Sequence, residues 1–306
     1  MPLSYPLVSI IIPCHPGTNP SVLNSIEKLD YPKDRYEILV EEGFNPSEQR
    51  NRGIKKAKGE IIAFTDDDCS MDSDWLKKAI KYFEDKKVGV VGGPNLTPKN
   101  ASFLSHCFGY AMESYFGTAS MSTRYRIAKV KEVTEKNLIF NNLFVRKEVF
   151  DRGIYLNEKM FPNEENEFMH RVQKNDFKLV YAPDVYVYHP RKNNILGFSK
   201  QLYGYGKGRM YQSVIQPDSF RIIFALPSVF FLSILLIPIS IVFHIELLYT
   251  ILITCTLLYF AIAFIVSFII AINKRNAYIV LLLPFIFFIL HFSYGLGFLR
   301  EAFKNI

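Results

Sequence analysis

The sequence predicts an α/β domain with a mainly parallel sheet, followed by a C-terminal bundle of about three transmembrane helices. Strand and helix patterns alternate over the first 100 residues, which is typical of a parallel sheet. Residues 1–221 carry 32 of the 36 basic and 27 of the 29 acidic side chains. Three long apolar stretches follow residue 221. This asymmetry excludes a purely soluble, a fibrous and a disordered protein.

The predicted strands and helices of the first part follow one another regularly. A continuous apolar run predicts a buried strand at residues 7–12, ended by Pro13. Apolar residues at helical spacing predict a helix at 20–29, and a basic segment predicts a short helix at 49–58. A further helix, capped by Asp72 or Ser73, is predicted at 73–85. The other strands are predicted at 36–40, 61–64, 88–91 and 185–188.

The three apolar stretches, residues 222–243, 247–272 and 277–299, contain no charged side chain. A helix of 22 residues is about 33 Å long, enough for a hydrocarbon core of about 30 Å. Lys274 and Arg275 follow the second stretch, whereas the first connection has no Lys or Arg. The positive-inside rule therefore predicts a multi-pass protein of the cell membrane with its N-terminal domain in the cytoplasm. The third stretch either crosses fully or is partly re-entrant.

The predicted domains are a catalytic domain at 1–192, an interfacial amphipathic segment at 193–221 and a membrane anchor at 222–306. The segment 1–5 is short and polar, and the apolar run that follows it is too brief for a signal peptide, so none is expected. The four cysteines are scattered without a Cys-x-x-Cys pair, which excludes a disulfide framework and a zinc site.

An acidic triplet, Asp66-Asp67-Asp68, follows the third predicted strand directly. Ligands of parallel sheets bind outside the carboxyl ends of the strands. Asp66 and Asp68 offer hard oxygen ligands on alternate residues, which suits Mg²⁺ or Mn²⁺ shared with substrate phosphates. The alternative is an acidic turn that helps to cap the next helix.

Further motifs extend over nearly the whole chain in a fixed order. They are VSIIIPC at 8–14, QRNRGI at 49–54, AKGEIIAFTDDD at 57–68, VVGGPNLTP at 90–98, NLFVRKEVF at 142–150, YAPDVYVYH at 181–189, QLYGYGKGR at 201–209 and HFSYGLG at 291–297. Each motif is weak alone. Together they resemble membrane-anchored family-2 glycosyltransferases with the GT-A fold, similar to bacterial succinoglycan-type glucosyltransferases.

The resemblance implies a Rossmann-like GT-A domain and a sugar transferase of the hexosyltransferase class. It implies that Asp66 and Asp68 bind the nucleotide diphosphate through Mn²⁺ or Mg²⁺, and that His189 faces the metal or the diphosphate. A structural role at the strand end is the alternative for His189. Arg50 and Asn51 match the family's Arg-Asn element, which contacts the nucleotide. For Arg50, a solvated basic helix face is the alternative. The other implied donor-binding residues are Pro13, Glu41 and Gly93.

The family also has an acidic pair at the start of a helix, which here corresponds to Glu164 and Glu165. The resemblance implies that Glu165 is the catalytic base, supported by Glu164. A positioned base contributes about 10²–10⁴-fold to the rate. The alternative is that these glutamates only complement the helix dipole. The segment that contacts the acceptor or the diphosphate in the family corresponds here to Gln201, Tyr205 and Arg209.

Two departures from the family bear on the substrate. Relatives read uridine with an Asp-Asp pair, whereas this chain has Glu41-Glu42 and reaches Arg50 soon afterwards. A UDP-sugar donor is therefore expected from the resemblance alone. Processive synthases of the family carry a Gln-x-x-Arg-Trp motif near the membrane. Here Gln201 is followed by Leu-Tyr-Gly-Tyr, which favours a single addition.

The expected function is an inverting, metal-dependent sugar transfer to a lipid-linked acceptor, either a polyprenyl phosphate or a lipid-linked saccharide, at the cytoplasmic membrane face. The other expected partners are membrane lipids, and no nucleic acid is expected. An inactive nucleotide-sugar-binding module and a processive polysaccharide synthase are the alternatives. A transport component is disfavoured because the apolar stretches carry no charge to line a path.

Overall fold

The computed structural model describes residues 5–304. Residues 1–4, where the absence of a signal peptide is expected, and 305–306, the end of the predicted anchor, lie outside the described residues. The described chain forms two compact units, one of residues 5–100 and 120–190 and the other of residues 101–119 and 191–304. The division near residue 190 lies close to the predicted domain boundary. Residues 101–119 also belong to the second unit, and no motif in the sequence indicated this.

The first unit contains a seven-stranded and a three-stranded sheet. Its strands are β1 (Val8–Cys14), β2 (Tyr36–Glu42), β3 (Ile61–Thr65), β4 (Ser70–Met71), β5 (Val88–Gly92), β6 (Asn95–Leu96), β7 (Lys131–Val133), β8 (Asn142–Arg146), β9 (Lys178–Tyr181) and β10 (Val187–Tyr188). The large sheet has the order β2-β1-β3-β8-β5-β9-β7, in which only β8 and β7 run antiparallel to the rest. The predicted α/β fold with a mainly parallel sheet is confirmed.

The helices are shorter at the N-terminal end of the chain than near its C-terminus. In chain order they are α1 (Leu23–Ile26), α2 (Pro46–Lys56), α3 (Trp75–Ile80), α4 (Phe103–Glu113), α5 (Tyr115–Thr118), α6 (Lys147–Asp151), α7 (Glu164–Lys174), α8 (Ile195–Ile215), α9 (Leu226–Val242), α10 (Glu246–Lys274) and α11 (Tyr278–Lys304). The helix predicted at 73–85 is α-helical only in α3 and continues as a 3₁₀ turn at Lys81–Glu84.

Both faces of the large sheet are covered. On β1, Ile10 and Ile12 join one buried apolar cluster with Trp75, whereas Ile11 joins a second cluster with Phe168 of α7. Side chains alternate between the two faces of a strand, so this continuous apolar run serves two cores. A strand buried on both sides is what the uninterrupted hydrophobic pattern predicts.

The small sheet determines where the chain after β9 lies. β10 pairs antiparallel with β4, which follows the acidic triplet, and parallel with β6, which follows β5. Trp75 and Asn142 reinforce this region, because Trp75 Nε1 donates to Asn142 Oδ1 and Asn142 Nδ2 donates to the carbonyl of Val185. The residue that follows β10 is thereby brought to the carboxyl end of β3.

The second unit contains two helices long and apolar enough to cross a membrane, α10 and α11. Helix α9 has 17 residues, about 26 Å, so it is shorter than the predicted span at 222–243 and than a core of about 30 Å. The prediction of about three spans is thus supported for two helices. The third stretch forms one continuous helix, α11, which includes Pro284, and its full crossing of a membrane stays a prediction.

Helix α8 occupies most of the segment predicted to be an interfacial amphipathic helix. It packs closely on α11: a Cβ on Gly206 would lie 2.1 Å from the carbonyl oxygen of Tyr294, and a Cβ on Gly297 would lie 2.0 Å from that of Tyr203. Such distances leave no room for a side chain, so these glycines allow the two backbones to approach each other.

Candidate active site

The acidic triplet lies at the carboxyl end of β3, as predicted. The carbonyl of Asp67 accepts hydrogen bonds from the backbone N–H of Val22 and the hydroxyl of Ser21. The turn is therefore held by the segment that leads into α1. Burial and the neighbouring Asp68 and Asp66 raise the pKa of Asp67.

His189 lies beside the two outer carboxylates of the triplet. Its Nε2 is 3.4 Å from Oδ1 of Asp68 and 3.8 Å from Oδ2 of Asp66. Adjacent ligands of an octahedral Mg²⁺ are about 3 Å apart, given metal–oxygen distances of about 2.1 Å. His189 is thus within 4 Å of a carboxylate oxygen of each aspartate, and the two carboxylates offer the hard oxygen donors that Mn²⁺ and Mg²⁺ prefer.

Cys69 is a neighbour of this group that sequence reasoning did not single out. Its sulfur, a carboxylate oxygen of Asp68 and a ring nitrogen of His189 lie within 4.8 Å of one another. Burial raises the pKa of the Cys69 thiol, and its sulfur lies 3.8 Å from the carbonyl of Asn141. Mg²⁺ and Mn²⁺ prefer hard oxygen donors to the soft sulfur of a cysteine, so Cys69 is a poor ligand for these ions.

Arg50 joins the acidic triplet to the acidic pair. Its Nη2 donates to Oδ1 of Asp66 at 3.2 Å, and its Nη1 donates to Oε1 of Glu164 at 3.1 Å. The guanidinium lies 4.5 Å from the ring centroid of Phe140 and is buried. The alternative of a solvated basic face is therefore wrong for Arg50, although it holds for the exposed Lys55 of the same helix.

The acidic pair begins α7, as the resemblance implies, and both carboxylates are buried. Burial raises the pKa of Glu164, and the charge of Glu165 raises it further. Glu165 accepts a hydrogen bond from Nη1 of Arg124 at 3.3 Å. Each acid of the pair is thus bound by its own arginine, with Arg50 on Glu164.

Two predicted donor-binding residues have other partners in the structure. The carboxamide of Asn51 donates to the carbonyl of Leu156 and the carboxylate of Glu158, and accepts from the N–H of Leu156. These hydrogen bonds hold the loop at 155–158, and the nucleotide contact of Asn51 stays a prediction.

Glu41 is buried and pairs with Lys56 at 2.7 Å and with Arg52 at 3.3 Å. These pairs attach α2 to the end of β2, so the carboxylate of Glu41 has a structural role. The sequence had not indicated it, because the partners lie 11 and 15 residues further along the chain.

Pro13 and Gly93 lie at strand ends near the site. Pro13 is buried in β1, opposite Glu41 of β2. A Cβ on Gly93 would lie 1.5 Å from the carbonyl oxygen of Val185. Glycine is thus required at residue 93 for the backbone approach that places β10.

The three predicted acceptor-binding residues lie on α8 in the second unit. Nε2 of Gln201 donates to the hydroxyl of Tyr205 at 2.8 Å. Arg209 is buried, donates to Oε1 of Gln212 at 2.8 Å and stacks over the ring of Phe224 at 4.4 Å. Their role in acceptor binding stays a prediction.

Sequence reasoning missed Arg124, which lies in a stretch without a motif. No spacing signal connects it to Glu165, which is 41 residues further along the chain. It also missed Gln49, whose Nε2 donates to the carbonyls of Cys14 and Glu41 and so joins the ends of β1 and β2.

Comparisons with known proteins agree with this geometry. A model described as glycosyl transferase family 2 matches residues 17–153, a range that includes Arg50, Asp66 and Asp68. Glycosyltransferase AglE of Haloferax volcanii is 27% identical over 259 residues, covering 74% of this chain and 80% of the relative.

A second relative is named as a dolichyl N-acetyl-alpha-D-glucosaminyl phosphate 3-beta-D-2,3-diacetamido-2,3-dideoxy-beta-D-glucuronosyltransferase of Methanococcus voltae. It is 23% identical over 326 residues and is covered to 90%, as is this chain. Among solved structures, the mannosyltransferase PcManGT of Pyrobaculum calidifontis, in complex with GDP-Man and Mn²⁺, superposes with a TM-score of 0.60. At 14% identity, with 100% of this chain and 89% of that one covered, it shares the fold.

Proposed function

We propose that this chain, in which residues 17–153 match the glycosyl transferase family 2 model, moves a sugar from a nucleotide diphosphate donor to a lipid-linked acceptor. The observation that carries this proposal is the convergence of two groups of side chains at one sheet edge. Asp66, Asp68 and His189 form the first group. Glu164 and Glu165 form the second, and Arg50 joins the two groups.

The first group is proposed to hold Mn²⁺ or Mg²⁺ with the donor diphosphate. A divalent ion bound there would neutralise charge on the departing diphosphate. The donor set of carboxylates and imidazole supports this assignment, and the neighbour PcManGT carries GDP-Man and Mn²⁺. A UDP-sugar is the proposed donor. Glu41, at the position where relatives read uridine, is buried and paired within the protein, so the nucleotide base is tested with several donors.

Glu165 is proposed as the base in a single displacement. The acceptor oxygen attacks the anomeric carbon, and its proton passes to the carboxylate of Glu165. The bond between the anomeric carbon and the diphosphate oxygen breaks, and its electrons leave with the nucleoside diphosphate. One displacement inverts the anomeric carbon.

A lipid-linked acceptor agrees with the apolar helices of the second unit. The Methanococcus voltae relative is named for a dolichyl-linked sugar phosphate. Lys274, the last residue of α10, lies 3.6 Å from the carboxylate of Glu113, the last residue of α4. The C-terminal ends of α10 and α4 therefore lie on the same side of the unit. By the positive-inside rule we propose that this side is cytoplasmic and that the protein resides in the cell membrane.

The test is donor turnover by the full chain in detergent, with UDP-, GDP- and dTDP-sugars, a membrane lipid extract, and either Mn²⁺ or EDTA. We expect nucleotide release that requires metal and falls about 10³-fold in Asp68→Asn, since metal stabilisation of developing charge is worth several kcal/mol. Asp151→Asn, at an exposed position on α6, is the matched control and should keep full activity. Binding of a donor without release under every condition would favour the inactive binding module.

A further inference from the structure

The guanidinium of Arg124 is buried and donates to three different acceptors. Nε donates to the carbonyl of Lys136 at 2.8 Å, and Nη2 donates to Oδ1 of Asn166 at 2.6 Å. The remaining contact is from Nη1 to Oε1 of Glu165 at 3.3 Å. A planar fork with its donors in fixed directions is suited to hold several acceptors in one arrangement.

The segment that carries Arg124 is itself anchored. Nδ2 of Asn137 donates to the carbonyl of Ser120 and to the hydroxyl of Thr123, which fixes the 3₁₀ segment Ala119–Arg124. The 3₁₀ turn Glu135–Asn137 is bound to α7, because Oε1 of Gln173 accepts from the N–H of Glu135. The segment that carries Arg124 is thus hydrogen-bonded, through the turn at Asn137, to α7, the helix that carries Glu165.

The contacts restrict one oxygen of the Glu165 carboxylate. Oε1 accepts from Arg124 and also from Nδ2 of Asn166 at 3.2 Å. Asn166 is fully buried, and its Nδ2 also donates to Oδ1 of Asn163. Over residues 5–304, no protein group donates a hydrogen bond to Oε2 of Glu165. The carboxylate is therefore held through one oxygen while the other is available to a substrate proton.

We propose that Arg124 is a positioning residue for Glu165, an inference that rests on the proposed role of Glu165 as base. Arg124 and Asn166 hold Oε1 so that Oε2 faces the proton of the acceptor hydroxyl. The cationic guanidinium of Arg124 also offsets the charge of Glu165, while Glu164 is paired with Arg50. The two arginines therefore divide the pair: Arg50 serves the donor side through Asp66, and Arg124 serves proton transfer.

This division predicts which kinetic constant each change affects. Arg124 has no described contact with Asp66, Asp68 or His189, so its loss should leave the KM for the donor unchanged. A misplacement of about 1 Å at a reacting group costs about 10²-fold. We expect Arg124→Ala to lower kcat by about 10²-fold. Arg124→Lys, which keeps the charge without the fork, should have a kcat between those of Arg124→Ala and the wild type.

The experiment measures kcat and the donor KM of the full chain for Arg124→Ala and Arg124→Lys, with and without guanidinium ion below denaturing concentrations. Guanidinium should restore part of the kcat of Arg124→Ala and leave the wild type unchanged. Arg146→Ala is the matched control: this arginine also binds backbone carbonyls, those of Val88 and Phe83, and stacks on the ring of Phe83. Guanidinium should not raise the kcat of Arg146→Ala.

An unchanged kcat in Arg124→Ala would overturn the proposal, as would a loss that neither lysine nor guanidinium reduces. If Arg124→Ala does not fold, judged from the fluorescence of the buried Trp75, the comparison of Arg124→Lys with the wild type decides in the same way. A folded Arg124→Lys with wild-type kcat would then overturn the proposal. Failure of the proposed function is distinguishable, because the wild type would then lack metal-dependent turnover or Glu165→Gln would turn over normally.

Discussion

The side of the site with Asp66, Asp68 and His189, where we propose that the metal binds (the metal side), is open, whereas the side with Glu164 and Glu165 is enclosed. The side chains of Asp66, Asp68 and His189 are 32%, 49% and 21% exposed. Those of Glu164 and Glu165 are 8% and 12% exposed, and each is bound by an arginine. An exposed group of ligands allows an ion and a donor to enter from solvent. Enclosed carboxylates held by arginines keep one geometry, which is what proton transfer needs.

The strongest test of this comparison concerns Arg50, the residue shared by both sides. Removing one partner of a buried ion pair costs about 3–5 kcal/mol, because the remaining charge is left without compensation. We therefore expect Arg50→Gln to destabilise the first unit by about that amount. Chemical denaturation followed by the fluorescence of Trp75 measures this, since the chain has a single tryptophan and it is buried in that unit.

Arg52, on the same helix, is the control. It is half exposed and pairs with Glu41 at 3.3 Å, so Arg52→Gln should cost no more than about 1 kcal/mol. Equal destabilisation by the two variants would mean that Arg50 does not join the two sides as described.

A smaller effect is expected at His189, which affects only the metal side. We expect His189→Asn to weaken the apparent affinity for Mn²⁺ by about 10–100-fold, a range typical of changes around a metal site. Turnover titrated with Mn²⁺ measures this, and saturating metal should restore most of the rate. His244→Asn, at an exposed position between α9 and α10, should leave the titration unchanged. An unchanged Mn²⁺ requirement in His189→Asn would remove this residue from the metal side.

The smallest effect is a pH dependence on the enclosed side. Burial and the charge of Glu165 raise the pKa of Glu164 above its ordinary value of 4.5. The folded chain therefore binds this proton more tightly than the unfolded chain. Stability from this group is present below about pH 4.5 and is lost as the pH rises through the raised value.

The stability of the wild type relative to Glu164→Gln should accordingly fall between about pH 4 and about pH 8. Glutamine mimics the protonated carboxyl and does not titrate. The measurement is again denaturation followed by Trp75, and the exposed Glu148→Gln is the control. A stability difference that is constant over this range would show that the environment of Glu164 does not disfavour its charge.

The open side was the more predictable from sequence. The buried strand β3 and the acidic residues after it form one local pattern, and the sheet-edge rule gives their position. His189 could be assigned only through the resemblance, because its place depends on the pairing of β10 with β4 and β6, which are distant in sequence.

The enclosed side was predictable only in its acids. Glu164 and Glu165 were assigned through the resemblance, whereas Arg124 reaches Glu165 through tertiary packing of a segment without periodicity. No sequence signal indicated that Asn51 binds the backbone of Leu156, which is 105 residues away. Local patterns identify which residues are chemically suitable, and nonlocal packing decides their partners.

We propose that one side of the site binds the donor and that the other transfers the proton. Donor binding by calorimetry and donor turnover, measured on the same preparations of Asp68→Asn and Glu165→Gln with Mn²⁺, test it most directly. We predict that Asp68→Asn loses donor affinity, and that Glu165→Gln binds the donor like the wild type while turnover falls about 10²–10⁴-fold. Wild-type turnover in Glu165→Gln, or unchanged donor affinity in Asp68→Asn, would contradict the account.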